Sequence, residues 1–374
     1  MKVYCRSGSI VNSLGSDIDQ HWNGVLDQST TLQPKQLFNG FDTFASYLSE
    51  DQWRQLQIDH GSKSKCALIS IESINKALEG IDIDITDSVI IIATTKGDIQ
   101  EIPQRLSKKN TSFYPYNIGI QIDNYFKSGI PTVVLSNACI SGSQAIQLGA
   151  SYIKSGKVRN AIICGVDLIT EFTMSGFNSL KALSDEAARP FDRDRKGISL
   201  GEAAATLILS ADSGAFNDQA DIEFDGGIVT NDANHISGPS RTGEGLFTAL
   251  SQLSKSIKKN PDAISLHGTG TIFNDDMESV ALNRMGFDHI ECFGLKGIYG
   301  HTLGATGVIE SVISLLALAH NIVPATVNYS HPGTVEQLNI LTSDTLKQLN
   351  TIFKCASGFG GGNCVLSFSK IDIS

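Results

Sequence analysis

The sequence predicts an α/β protein, and three observations carry this prediction. Residues 88–94, 132–136 and 160–165 are short apolar runs rich in β-branched residues, typical of strands buried on both faces of a sheet. Residues 140–156, between the last two runs, have the apolar spacing of a buried helix that stops at Gly156. A strand, a helix and a strand within about 35 residues form a βαβ unit with a parallel pair of strands.

The second half of the chain repeats this order of elements without repeating its sequence. Two further strands and two helices are predicted there, at 262–267, 276–284, 306–320 and 364–370. The stretch 211–220 is small, polar and turn-rich, which makes it the best boundary by composition. We therefore expect two intimately packed α/β halves, residues 1–213 and 214–374, rather than domains on a linker.

Composition excludes several functional classes. The 374 residues carry a formal net charge of -10, whereas a general nucleic-acid binder needs a basic surface. No run reaches the roughly 18 consecutive apolar residues of a membrane span, and no secretory signal is visible. The 7 cysteines are odd in number and scattered, which predicts reduced thiols in a cytoplasmic protein. Since no CxxC pair occurs, we expect no metal site.

Cys139 occupies a position suited to nucleophilic catalysis. In VVLSNACISGSQAI a buried strand ends, small or polar residues follow, and the cysteine precedes a helix. Unpaired N–H groups and the helix dipole favour a thiolate at such a position. The alternative is a small buried core residue, which is the common role of a free cysteine.

Two histidines lie in loops made of small residues. His267 follows an apolar strand in SLHGTGTIFNDDMES, and His301 precedes the long apolar helix in GLKGIYGHTLGATGVIE. Glycines let backbone N–H groups approach a ligand, and threonine hydroxyls supply short hydrogen bonds. Both loops therefore indicate a ligand site, with a capping histidine in a glycine turn as the alternative.

Lys296 and Glu310 flank His301 in sequence. Glu310 is the only charge in the apolar helix 306–320, and a lone buried carboxylate is costly unless it is paired. Lys296 is the nearest plausible cation along the chain, so we expect a buried ion pair. The alternative is a helix edge that reaches solvent.

The segment 355–364, CASGFGGGNC, places four glycines around Phe359. We interpret it as too flexible for a simple strand turn. A backbone N–H beside such a loop can point at an oxyanion, and the Phe359 ring can act as a gate. A plain glycine turn is the alternative.

One motif suggests a different enzyme class. Residues 197–201, GISLG, fit the GxSxG pattern of serine hydrolases, which should follow a strand and open a helix. The preceding RPFDRDRK cannot be a buried strand, which argues against a hydrolase. No GxGxxG string occurs, so a dinucleotide site is not expected.

Six blocks, in order, resemble the β-ketoacyl synthase (3-oxoacyl-[acyl-carrier-protein] synthase) family of condensing enzymes. They are GSIVNSLGSDIDQHWNGVLDQ from Gly8, SNACISG, RPFDRDRKGISLGEAAATLIL at 189–209, HGTGT-x-x-ND-x-x-E, KGIYGHTLGATG and SGFGGGN. These blocks span nearly the whole chain. The resemblance implies a thiolase-like fold of two pseudo-duplicated βαβαβ-type halves, packed as an αβαβα layered core.

The resemblance also implies roles for the matching residues. Cys139 would take the acyl chain as a thioester, and His267 and His301 would assist decarboxylation of a malonyl-thioester and stabilise the enolate. The backbone N–H groups of Cys139 and Phe359 would form the oxyanion hole. The remaining assignments are Lys296 with Glu310 to hold the His301 loop, Thr269 and Thr271 to bind the phosphopantetheine arm, and Asp275 and Glu278 as structural residues.

The Cys-His-His set resembles the elongating synthases. Thiolases use a second cysteine just before the closing glycines, where this chain has Gly358, and chain-initiating synthases carry asparagine at the position of His301. Two alternatives stay open: a non-catalytic partner subunit of the chain-length-factor kind, which usually lacks the cysteine, and a thiolase-type acyltransferase. The compact span 96–131 and Gly362, in place of a more usual threonine, leave tunnel length and partner choice open.

The resemblance further implies that substrates arrive on an acyl carrier protein, with its phosphopantetheine arm as the only cofactor-like group. It implies a homodimer, or a heterodimer with a related subunit, in fatty acid, polyene or polyketide biosynthesis. Because carriers are typically acidic and this chain is acidic too, docking needs a local basic patch. The candidates are Lys63, Lys65, Lys108, Lys109, Arg193, Arg195 and Lys196.

Overall fold

The computed structural model describes residues 1–37, 40–101 and 114–371, and Lys108 and Lys109 lie outside these ranges. The apolar runs predicted as strands are strands. In chain order the strands are β1 (Tyr4–Val11), β2 (Gln33–Gln36), β3 (Asp42–Ser46), β4 (Ser88–Ala93), β5 (Val133–Leu135), β6 (Asn160–Asp167), β7 (Leu200–Gly201), β8 (Ala203–Ser210), β9 (Ile222–Asn231), β10 (Ala263–Ser265), β11 (Glu291–Phe293), β12 (Ile322–Val323), β13 (Asn339–Ile340), β14 (Thr345–Leu346), β15 (Thr351–Gly358) and β16 (Gly362–Lys370).

The predicted helices are also present, and the helix expected at 276–284 begins earlier, at Ile272. The α-helices are α1 (Ile18–Leu26), α2 (Glu50–His60), α3 (Lys65–Leu78), α4 (Tyr116–Phe126), α5 (Ser141–Lys154), α6 (Glu171–Ser179), α7 (Glu244–Ile257), α8 (Ile272–Met285), α9 (Lys296–Tyr299) and α10 (Thr306–His320). Short 3-10 turns span Ile85–Asp87, Ile99–Glu101 and Leu303–Ala305.

The main sheet shows an internal duplication. Its strand order is β13-β11-β10-β15-β16-β9-β1-β8-β6-β4-β5. From the middle outwards, β1-β8-β6-β4-β5 and β9-β16-β15-β10-β11 follow the same sequence of two antiparallel and then two parallel pairings. The halves meet at β1 and β9 through only two residue pairs. The two pseudo-duplicated halves implied by the resemblance are therefore confirmed.

We propose that the halves divide at 213/214, as the composition suggests. This position lies between the end of β8 and the start of β9, which are the last strand of one repeat and the first strand of the other.

Helices form three layers around this sheet. In the central layer α5 and α10 pack against each other and against strands of both halves, whereas α3 covers the outer face of the first half and α7 that of the second. Strand β4 shows why its run is apolar from Val89 to Ala93. Val89 and Ile91 belong to the central apolar cluster, and Ile90 and Ile92 belong to the outer one. A strand covered on both faces needs apolar residues at every position.

Helix α10 is the most apolar helix described. In the described ranges one segment, Leu303–His320, is long and apolar enough to cross a membrane by length and composition, and 89% of it is buried inside the fold. Burial on all sides explains its apolar surface without a membrane.

Candidate active site

Cys139 lies between β5 and α5, where the sequence places it. Ala138 has a left-handed backbone with φ 45°. Ser141 Oγ accepts a hydrogen bond from Asn137 N–H at 2.8 Å and donates one to Ala138 O at 2.6 Å. These bonds hold a tight turn that carries the thiol into the start of α5.

Burial works against the helix start in setting the protonation of Cys139. The residue is 6% exposed. Loss of water raises the pKa of its thiol to about 11, while the charge of Lys296 and the Phe359 N–H oppose this rise. Burial therefore opposes the thiolate that the helix start favours.

The glycine-rich segment is a β-hairpin turn. Strands β15 and β16 pair up to Gly358 and Gly362, and Gly360 and Gly361 have φ values of 84° and 79°, which glycine adopts without strain. The expectation that this segment is too flexible for a strand turn is therefore wrong. The turn places the Phe359 backbone N–H near enough to Cys139 to lower the pKa of its thiol.

His267 is held as a neutral imidazole with its proton on Nε2. Lys296 Nζ lies 3.1 Å from His267 Nδ1 and also donates to His267 O. Since an ammonium has only donors, Nδ1 accepts and the ring N–H is Nε2. Burial, followed by the charge of Lys296, lowers the pKa of the imidazole well below its ordinary value.

His301 has the same tautomer for a different reason. The Leu303 N–H donates to His301 Nδ1 at 3.2 Å, and a backbone N–H can only donate. Leu303 has φ 52°, a strained conformation that turns this N–H back towards the ring. Burial and then Lys296 lower the pKa of His301 well below its ordinary value. The two imidazole rings meet edge to face, with centroids 5.2 Å apart.

The predicted buried pair of Lys296 and Glu310 is present, with Nζ and Oε1 at 2.7 Å. A second lysine, Lys354 on β15, lies 2.8 Å from Glu310 Oε2. All three side chains are at most 2% exposed. The sequence analysis missed Lys354, although a lone lysine in the apolar strand TIFKCAS is the same signal that singled out Glu310.

The site residues line one cavity of about 430 Å³. Phe359 is 38% exposed and its ring lies 5.6 Å from that of Phe177, which places an aromatic pair in the wall. The predicted residues that share this lining are Cys139, His267, Thr269, Thr271, His301 and Phe359.

Asp275 and Glu278 support the His267 loop from α8. Glu278 accepts the backbone N–H groups of His267 and Gly268 at 2.7 and 2.8 Å. Asp275 accepts those of Thr269 and Gly270 at 2.9 and 3.1 Å. Their carboxylates bond the loop backbone, which supports the structural role implied for them.

The structure excludes one of the candidates for the basic patch and pairs another. Arg195 is buried, donating to Gly333 O at 2.6 Å and pairing with Asp276 at 2.8 Å, so it cannot serve a docking surface. Lys196 lines the cavity but pairs with Asp185 and Glu186. The cation at the cavity that lacks a carboxylate partner among the described residues is Lys181, which the sequence analysis did not select.

The competing enzyme classes find no support in the geometry. Ser199 is fully buried and accepts the Ala188 N–H at 3.0 Å, in a segment that leads into β7 rather than into a helix. A thiolase-type second cysteine would replace Gly358, and no cysteine besides Cys139 lines the cavity in the described ranges. Among the same residues, no cluster of histidine, cysteine and carboxylate side chains could hold a metal.

Together, the thiolase-like fold and this site define a condensing enzyme. Comparison with known proteins gives the family: the N-terminal domain of β-ketoacyl synthases matches residues 87–215 and their C-terminal domain matches residues 223–330. The chain therefore belongs to the β-ketoacyl synthase family. It is an acyltransferase-type condensing enzyme of fatty acid or polyketide biosynthesis.

Individual relatives agree with this assignment. The chain is 29% identical to the 3-oxoacyl-[acyl-carrier-protein] synthase 2 of Synechocystis sp. over 96% of both chains. It is 31% identical to a putative polyketide β-ketoacyl synthase 1 of Streptomyces halstedii, over 67% of this chain and 63% of the relative. A chain from the complex of a ketosynthase with its chain length factor from Xenorhabdus doucetiae superposes with a TM-score of 0.82 at 25% identity, covering 99% of this chain and 98% of that one.

Proposed function

We propose that the protein condenses an acyl group bound to Cys139 with a malonyl-thioester carried by an acyl carrier protein. The observation that carries the proposal is the convergence of one buried thiol, the Phe359 N–H and two neutral imidazoles on one cavity. A carbon nucleophile formed by loss of CO2 needs no strong base. The negative charge of the resulting enolate must, however, be stabilised by fixed hydrogen-bond donors in a pocket that excludes water.

In the first half-reaction the acyl group moves from the carrier thioester to Cys139. The sulfur attacks the carbonyl carbon, the bond to the carrier sulfur breaks, and the thiol proton ends on the released carrier thiol. The N–H groups of Cys139 and Phe359 donate to the carbonyl oxygen as it gains charge. Phe359 lines the same cavity as Cys139, and its N–H already lowers the pKa of the thiol, which supports this role.

In the second half-reaction the malonyl carboxylate leaves as CO2, and its bonding electrons form the enolate. His267 and His301 donate through Nε2–H to the enolate oxygen, since both Nδ1 atoms already accept hydrogen bonds. The enolate carbon attacks the Cys139 thioester, and the bond to the cysteine sulfur breaks. The thiolate then takes up a proton, as a raised thiol pKa favours.

Thr269 and Thr271 are the proposed contacts of the phosphopantetheine arm. Their hydroxyl oxygens lie 2.8 Å apart, and both side chains line the cavity. Paired hydroxyls can donate to and accept from the amide groups of such an arm. The arm reaches the protein on its carrier, so no permanently bound cofactor is required.

Acylation of the intact protein tests this proposal. Incubation with a panel of acyl-carrier thioesters should add one acyl mass, and peptide mapping should place it on Cys139. Cys66, fully buried with a thiol pKa well above its ordinary value, is the internal control and should stay unmodified. Absence of any acyl adduct across the panel would favour the non-catalytic partner-subunit alternative.

Lys181 is the proposed docking cation for an acidic carrier. Its side chain is exposed at the cavity, beside the exposed apolar side chains of Leu180 and Phe273. Lys181→Glu should raise KM for the acyl carrier roughly fivefold and leave kcat unchanged, because a rim charge acts on encounter more than on chemistry. The effect should shrink at high salt.

Lys157→Glu is the matched control for this test. Lys157 is exposed and follows the far end of α5, whose length puts it about 20 Å from the Cys139 end. An equal rise of KM in both variants would show that the loss is general charge repulsion, and docking at Lys181 would be refuted.

We also propose a dimer, either of two copies or with a related subunit. Strand β5 ends the main sheet, and Tyr116 and Ile120 on the neighbouring helix α4 are 53% and 50% exposed. A strand edge that no described strand pairs with, beside exposed apolar side chains, favours pairing with another chain. A cytoplasmic location is proposed from the seven free thiols.

A further inference from the structure

Lys354 occupies a position on β15 that otherwise belongs to the core. Ile352 and Ala356, two residues to either side, belong to the central apolar cluster, and alternate residues of a strand share a face. Lys354 is 0% exposed. Removing an ammonium from water is costly unless its contacts compensate, so the contacts of Lys354 indicate what it does.

Lys354 Nζ forms an ion pair with Glu310 Oε2 at 2.8 Å, although Oε2 accepts no hydrogen bond from the described residues, and it donates a hydrogen bond to its neighbour Cys355 O at 2.7 Å. Lys296 takes the other carboxylate oxygen, Oε1, at 2.7 Å. Glu310 thus has one lysine at each of its two carboxylate oxygens. Lys296 connects this cluster of Lys296, Glu310 and Lys354 to His267.

We propose that Lys354 is a positioning residue for the condensation: by occupying Glu310 Oε2 it confines Lys296 to Oε1, so that the remaining Lys296 N–H groups are directed at His267. This inference rests on the proposed function, in which His267 donates to the enolate through Nε2–H. Without Lys354, Glu310 could take two N–H groups of Lys296, and the bond from Lys296 to His267 Nδ1 would weaken.

The positive charge of Lys354 also favours the neutral form of the His267 ring, as its contact with Glu310 does. Together with burial and Lys296, it lowers the pKa of both His267 and His301. A positively charged neighbour disfavours the imidazolium form. The ionisable groups around the two rings are Lys296 on α9, Glu310 on α10, Lys354 on β15, Asp275 and Glu278 on α8, Lys96 after β4, Asp167 on β6 and Cys139 before α5.

Lys354→Met and Lys354→Gln separate contact from charge. Met removes both the contact with Glu310 and the charge, whereas Gln keeps a donor for Glu310 and loses only the charge. Lys347→Met is the matched control, because Lys347 is a half-exposed lysine whose partner is Glu291. In every variant Cys139, His267, Lys296 and His301 stay in place.

The first measurement is a pH titration of protein labelled with 15N in histidine. In the unmodified protein, both rings should keep the Nε2–H tautomer and titrate well below the ordinary histidine range. In Lys354→Met the midpoint of at least one of the two rings should rise by about one pH unit or more. If Lys354→Met does not fold, Lys354→Gln should show the same rise. Unchanged titration in a folded Lys354 variant overturns the inference.

The second measurement is CO2 release from a malonyl-carrier thioester as a function of pH. Removing a positive charge raises the imidazole pKa, so the acidic limb of the Lys354→Met profile should move to higher pH. At neutral pH its kcat should fall about tenfold with KM unchanged, and Lys347→Met should match the unmodified protein. An unmodified protein that releases no CO2 contradicts the proposed function, while the titration still decides the role of Lys354.

Discussion

Replacing Cys139 with Ala should abolish condensation, with kcat falling on the order of 10⁴-fold or more. Without the Cys139 sulfur the acyl group cannot form a thioester with the protein, so the two half-reactions cannot be coupled. Release of CO2 from a malonyl-carrier thioester should persist at a measurable rate, because His267 and His301 are intact. Parallel assays of product formation and 14CO2 release measure the two effects.

Cys66→Ala is the control for this experiment. Cys66 is a buried thiol on α3, away from the cavity lining, so its loss should leave both assays unchanged. Condensation by Cys139→Ala within tenfold of the unmodified rate would show that Cys139 is a core residue and that the nucleophile lies elsewhere. That outcome would also contradict the proposed role of the Phe359 N–H in the oxyanion hole.

Replacing His301 with Ala should remove decarboxylation, with a loss on the order of 10²–10³ in kcat. The reason is specific to its tautomer: the Leu303 N–H fixes the ring proton on Nε2, and this N–H is the donor for the enolate oxygen. Acylation of Cys139 by an acyl-carrier thioester should continue, since the imidazole is needed only in the second half-reaction. Burst formation of the acyl-enzyme and steady-state CO2 release measure the two steps.

His289→Ala serves as the matched histidine control. His289 is exposed and precedes β11, so its removal should change neither step. A His301→Ala protein that releases CO2 at the unmodified rate would disprove the assigned role. Loss of both steps together would instead point to a collapsed His301 loop, which a near-UV circular dichroism spectrum would reveal.

Local features of the fold were predictable because they depend on local patterns. Strand β4 is apolar from Val89 to Ala93 because both of its faces are covered, and this is visible in SVIIIA without knowledge of the partners. The placement of Cys139 at the start of α5 follows in the same way from the boundary between an apolar strand and a helix. Glu310 could be paired with Lys296 because a lone charge in an apolar helix demands a partner.

The features that sequence reasoning missed depend on distant contacts. Lys354 is 44 positions from Glu310 in the sequence, and only the packing of β15 against α10 brings them together. The helix start that favours a Cys139 thiolate is a local feature, whereas the burial that raises its pKa comes from elements across the whole chain. The glycines after Gly358 were interpreted as flexible, although pairing of β15 with β16 fixes them in a turn.

The small junction between the two halves of the main sheet links the alignment of the active site to the stability of the protein. Only two residue pairs join β1 to β9, so the sheet contributes little cohesion between the repeats. The packed pair α5 and α10 also joins the halves, because each helix packs against strands of both. Cys139 lies just before α5 and Glu310 lies within α10. A substitution that loosens this helix pair should therefore both destabilise the protein and displace Cys139 from the groups that Glu310 holds in place.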